Sequence, residues 1–262
     1  MRELGAIFRR ELTQYFKSPI GWVLMAIFAF VSGIYFSINI LSGYSNVASV
    51  LQFMQSLFFV LIPILTMKTF SEERRNGTEV LLYTSPASIW DIVLGKYLAS
   101  LVFFLIMSVV TLLYVIITVV LDGNVDLVLL GTFIGFIGTA IVYIAIGVFC
   151  SSITENQIIA AILAVLIFVG FQLLNVISSL AASFTTNLLS RIDVGNWWNP
   201  TQEEAAGQAV ANALNWLNPS TRLADYSRGI FDVLPLIFLL SYTFIFLFLT
   251  SRVLEKRRWS QR

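Results

Sequence analysis

Charge is scarce in this chain, at 12% of 262 residues, yet the ten residues from Phe70 to Glu79 hold five charges: Glu72, Glu73, Arg74, Arg75 and Glu79. The chemistry open to such a group is ion pairing rather than bond making. Carboxylates and guanidiniums of both signs, followed by Gly77, Thr78 and the Leu81-Leu82 pair, suit a surface docked against another protein; a solvated loop fits the pattern equally well. Mixed signs argue against simple attraction to anionic lipid. Groups for catalysis are hard to assemble. Histidine is absent and Cys150 is the single cysteine, which excludes an intrachain disulfide and leaves a Cys/His metal site without ligands. No G-x-x-x-x-G-K-[ST] phosphate loop occurs, because the sole Gly-Lys pair, Gly95-Lys96, has Trp90 where the leading glycine belongs. No cofactor is therefore expected on this chain.

The elements that must position these charges are membrane helices. Hydrophobic residues make up 58% of the chain and its mean hydropathy is +0.84. A soluble domain carries about 25% charged residues, and a compact chain in water still needs a wetted surface. Lipid is the solvent that remains. The net charge of +1 gives no argument for a nucleic-acid partner. The first apolar stretch is too long for a removable signal peptide and lacks a clear cleavage site. Each span needs roughly 20 apolar residues. Charge-free runs place six, near 20–41, 51–68, 97–121, 127–154, 156–190 and 233–251, within a single membrane unit over 1–262. Thr154-Glu155-Asn156-Gln157 separates the fourth from the fifth and fits a T-x-x-Q capping box.

Lys and Arg in the connections set the orientation. The N-terminal segment, the 68–96 segment and the C-terminal tail together hold thirteen, against three in the alternate connections. Both termini are accordingly expected on the cytoplasmic side of the membrane, and the Asn76-Gly77-Thr78 sequon is read as chance.

Around residues 1–18, Leu4, Ile7, Phe8, Leu12, Tyr15 and Phe16 recur at helical spacing opposite Arg2, Arg9, Arg10, Thr13 and Lys17. This is the pattern of an amphipathic helix lying in the membrane interface, with lipid as its partner. A generic basic flank is the plainer alternative. Glu11 falls on the apolar arc and weakens the pattern.

The run from Phe70 to Pro86, continued by Asp91-Ile-Val-Leu-Gly-Lys96-Tyr, resembles the signature of type-2 ABC exporter permeases, most of all the branch of the gliding-motility and nitrous-oxide-reductase-maturation permeases. The likeness extends to Ser151–Gln157, to Tyr226–Asp232 and to Arg252–Trp259, and so covers nearly the whole chain. It implies an all-α membrane protein in which an interfacial helix (Leu4, Phe8, Arg9, Arg10, Leu12) and a cytoplasmic coupling helix between spans two and three contact a separate ABC ATPase subunit. The resemblance puts Phe70, Glu72, Glu73, Arg74, Gly77, Thr78 and Glu79 in or beside that coupling helix. It also implies ATP and Mg on the partner and a second permease chain, alike or different.

In the segment 183–229, Thr201-Gln-Glu-Glu204 reads as a capping box opening a short external amphipathic helix through Ala205, Ala209, Val210 and Ala213 that ends at Asn218-Pro219, with Trp197, Trp198 and Trp216 suited to headgroup level. It is read as a lid over the outer mouth or as a docking surface for an external accessory subunit. The family resemblance implies a shorter re-entrant pair of helices there. Gly131-x-x-x-Gly135 with Gly138 permits close packing without naming a dimer face. Cys150 reads as a small apolar residue. Asn39, Gln52, Gln55, Gln172 and Asn175 suit either a substrate path or packing bonds. Three other readings compete with an exporter: an ion-coupled transporter, disfavoured because no span contains a central charge; an intramembrane enzyme, lacking acid pairs and metal ligands; and a membrane anchor for an external partner.

Overall fold

The computed structural model describes residues 2–42, 46–79, 87–121, 126–192, 200–216, 218–223 and 225–260. Residues 80–86 of the charged segment, and Trp197 and Trp198, lie outside them. Among the described residues the chain is helical with no strand: α1 (Arg2–Lys17), α2 (Pro19–Leu41), α3 (Val47–Ser56), α4 (Phe58–Thr66), α5 (Lys68–Arg75), α6 (Ile89–Ser108), α7 (Val110–Val120), α8 (Leu127–Ile153), α9 (Gln157–Ile192), α10 (Pro200–Asn215), α11 (Pro219–Arg222), a 3-10 turn at Tyr226–Arg228, and α12 (Val233–Ser260).

Five helices or continuous helix pairs are long and apolar enough to cross a bilayer, and α3 with α4–α5, bent by 60°, makes a sixth. Counting that bent pair as one crossing agrees with where the ends meet. The Ile153 carbonyl at the end of α8 accepts from Arg74 of α5 at 3.1 Å and from Arg257 of α12. Arg10 of α1 reaches Glu73 of α5 at 2.8 Å. The first helix and the end of the last one therefore share one end of the bundle, which requires an even number of crossings. This is called the charged end below.

Besides an earlier start of α3 at Val47 and an extension of α12 to Ser260, three differences from the sequence expectation have a local reason. The apolar run of 51–68 concealed the break at Leu57 between α3 and α4. The third long helix starts at Ile89 rather than 97, because Ser88 caps it by accepting from the Asp91 N–H at 3.1 Å. Lys96 consequently sits two turns inside a helix rather than in a loop. At the start of α9 the cap is Asn156, whose Oδ1 accepts from Ile158 N–H at 2.9 Å, while Thr154 takes the Asn156 N–H at 3.2 Å instead of closing a box with Gln157.

Helix α8 is the centre of the bundle, with α3, α4, α5, α6, α9 and α12 packed on it. Small residues make this possible: a Cβ at Gly147 would stand 2.1 Å from the Thr66 hydroxyl, and one at Gly131 2.1 Å from the Tyr226 carbonyl. The Gly131, Gly135 and Gly138 row is thus occupied within the chain, by Tyr226, Leu223 and Leu239.

Helix α9 has 36 residues, about 54 Å, and exceeds the roughly 30 Å of hydrocarbon. Helix α10 folds back antiparallel on its far part: Ser178 donates to Asn215 at 2.9 Å, and a Cβ at Gly207 would meet the Ala182 carbonyl at 2.8 Å. The helix expected in this region is present, opening on Pro200. The next residues do not stay outside. Asn218 donates to the Phe171 carbonyl at 2.8 Å and Leu223 lies over Gly135 and Gly138, roughly 25 Å along α8 from Ile153. The chain therefore dips back into the bundle before α12. Of the polar residues in question, Gln55 donates to Thr139 at 2.8 Å, Asn39 to Ser49 at 2.9 Å, and Asn175 accepts from Asn218 at 3.4 Å. Gln52 and Gln172 are exposed.

Candidate functional site

The site grows out of the α4–α5 joint. Ser151, near the end of α8, accepts from the N–H groups of Phe70 and Ser71 at 3.0 and 3.2 Å and donates to the Met67 carbonyl at 3.0 Å. One hydroxyl thus ties the boundary between α4 and α5 to α8. Thr69, Phe70 and Ser71 are buried by this contact.

Lys96 from α6 points into the same place and is 1% exposed. Its ammonium lies 3.0 Å from Glu11 of α1, 3.0 Å from Glu73 of α5 and 2.7 Å from the Thr69 carbonyl, and 5.2 Å from the centre of the Phe70 ring. Arg10 closes the set on Glu73 at 2.8 Å. Two cations meet two anions, so the cluster carries no net charge, as burial of Lys96, Glu11 and Glu73 requires, and Arg10 closes it from the exposed side. The backbones are held equally close. Gly95 lets α1 approach, since a Cβ there would meet Ile7 at 2.9 Å, and Tyr15 stacks on Phe103 with centroids 4.8 Å apart. The Tyr15 hydroxyl bridges the Leu65 carbonyl at 3.1 Å and Ser100 at 2.9 Å. Burial pushes its phenol up to about 12, so at neutral pH it keeps the proton that it donates.

A second cluster pins the outer side of α5. Arg74 binds Glu155 at 2.6 Å and approaches Glu79 at 3.7 Å, in addition to its bond to Ile153. The helix then stops in a Schellman turn: Gly77 has φ +68°, its N–H bonds the Arg74 carbonyl at 3.0 Å, and the Thr78 N–H bonds the Glu73 carbonyl at 2.9 Å. Arg75, Asn76, Gly77 and Thr78 form an exposed tip on this clamped base.

The sequence-named residues therefore divide. Glu73, Arg74 and Phe70 face into the protein, Glu72 is half-exposed beside Lys68, and only Gly77 and Thr78 of that set belong to the exposed tip. On α1, Leu4, Phe8 and Leu12 are half-buried, Arg9 is exposed, and Arg10 joins the cluster. Sequence reasoning misses Lys96, which reads in one dimension as a charge of the 68–96 connection. It also missed Glu11, though a lone acid on an apolar arc was the signal for it. Ser151 gave no signal.

The chain matches the family model described as ABC-2 family transporter protein over residues 5–259. It belongs to that family. The comparison with curated proteins gives no match. As an ABC-2 family permease, the chain is a multi-pass membrane protein whose charged end gathers α1, α5, α6, α8 and α12.

Proposed function

We propose that this permease is the transmembrane subunit of an ATP-driven exporter in a bacterial cell membrane, with the charged end and both termini in the cytoplasm. A separate ABC ATPase subunit binds ATP and Mg and docks on the tip Arg75–Thr78, and a second permease chain completes the transporter. The contact set of Lys96 carries this reading. An exposed tip on a base bonded at once to α1, α6 and α8 is what a mechanical input needs, because force on the tip moves three helices as a unit instead of bending a loop. Glu73 and Arg74 act here as positioning residues for the tip.

The test uses membranes containing the permease and its ATPase. Replacing Glu73→Ala and Arg74→Ala together is expected to abolish transport-coupled ATP hydrolysis while both subunits are still made. Full retention of coupled hydrolysis overturns the coupling role. Co-purification of a Walker-motif protein with the wild-type chain separates this reading from a passive anchor or an ion-coupled transporter. The α9–α10 hairpin, which outruns the bilayer, supports an external accessory subunit as a further partner.

A further inference from the structure

A cavity of about 580 Å³ opens at the charged end between the α1–α2 elbow and the α4–α5 joint. Its lining is zoned by the topology. Ile20 and Leu24 come from the first turns of α2 as it enters the bilayer, and Ile64 and Leu65 from the last turn of α4 as it leaves. The charged lining comes from α1, from α5 at the end of the bent second span and from Lys96 near the start of the third. One half is therefore apolar at membrane depth and the other is charged at headgroup depth.

The charges are not evenly matched. Arg10 and Lys96 also line the cavity, but Glu73 and Glu11 already hold them at 2.8 and 3.0 Å. Lys17 has no ion pair among the described residues, and Lys68 is only 3.9 Å from a Glu72 carboxylate that is 45% exposed. We infer that the cavity binds an anionic phospholipid of the adjoining leaflet, with its phosphate at Lys17 and Lys68 and an acyl chain along Ile20, Leu24 and Ile64. A free phosphate ion would meet the same two ammoniums but leave the apolar half unfilled. An amphiphile fills both halves, and each lysine near the surface favours an anionic headgroup. A lipid seated there touches α1 and α5 together, next to the Lys96 cluster.

The inference is independent of the ATPase and is tested without it. Purified full-length permease, delipidated in detergent, is incubated with mixed micelles of phosphatidylglycerol or of phosphatidylcholine with the same acyl chains, or with inorganic phosphate, and bound lipid is counted by native mass spectrometry. Phosphatidylglycerol is expected to be retained in preference to phosphatidylcholine. The pair Lys17→Gln and Lys68→Gln should lower its retention about tenfold, and Lys17→Arg with Lys68→Arg should preserve it. Ile20→Trp, which fills the apolar half, should reduce both lipids. Equal phosphatidylglycerol retention by wild type and the glutamine pair overturns the proposal. So does competition by inorganic phosphate at the same concentration as lipid, which would mark an anion site with no place for a chain.

Discussion

Lys96 and Glu11 meet at 3.0 Å across the contact between the third span and the N-terminal helix, although they stand 85 positions apart in the chain. Glu73 of α5 takes the same ammonium from the other side. Three elements that share no sequence neighbourhood are thus joined through one buried nitrogen.

The first prediction follows from that nitrogen. Lys96→Met leaves two carboxylates, 9% and 12% exposed, without their common cation. Removing one partner of a buried ion pair costs about 3–5 kcal/mol, so the thermal unfolding midpoint in detergent should fall sharply. Adding Glu11→Gln to Lys96→Met should recover part of the loss, because Arg10 still satisfies Glu73. An unchanged midpoint for Lys96→Met would mean that the cluster adds nothing to stability.

Arg74 and Arg75 are adjacent and chemically alike, but the fold separates their roles. Arg74→Ala loses bonds to Glu155 and Ile153 and should destabilise by roughly 1–3 kcal/mol. Arg75→Ala, at the exposed tip, should stay within about 0.5 kcal/mol of wild type and lower ATPase binding instead. Thermal unfolding and subunit co-purification, measured on both variants, separate the two effects; equal stability losses would contradict the arrangement.

The glycine row should respond unequally. Gly131→Ala drives a methyl to 2.1 Å from the Tyr226 carbonyl, a backbone atom that cannot swing aside, whereas at Gly135 the nearest atom is Leu223 at 3.7 Å. Overpacking costs about 1–3 kcal/mol or more, so Gly131→Ala should reduce the folded yield in membranes while Gly135→Ala is tolerated. If Gly135→Ala is the worse of the two, the row faces a different partner.

Gly77 has open space around it, so any cost of substitution there comes from the backbone alone. With φ at +68°, Gly77→Ala should destabilise by about 1 kcal/mol, and Gly77→Asn by less. The pair of midpoints reads the left-handed turn directly.

How much of this was legible varies by element. Runs of apolar residues announced six crossings because lipid permits no other arrangement of so many unpaired backbone groups and so little charge. The amphipathic spacing of 4–16 announced α1, and the Thr201–Glu204 box with the alanines after it announced α10, although the helix opens on Pro200 and so leaves Thr201 inside it rather than at its cap. The break at Leu57 is invisible in sequence because both flanks are equally apolar, and the start of α6 is hidden because a lysine such as Lys96 reads as a sign of water. A buried lysine and a loop lysine look alike in one dimension.

The sequence by itself determined the solvent, the number of crossings and the place where charge collects, since each depends on local composition and its period along the chain. The tertiary structure alone decided which charges face inward. Glu73 and Lys96 look like surface residues and Glu11 has no visible partner on its apolar arc, and only the approach of α1 to α6 at Gly95, with α5 held by Ser151, brings the three within 3.0 Å and removes them from water. Ion pairing at that range depends on distances between helices far apart in the chain, which no local pattern encodes.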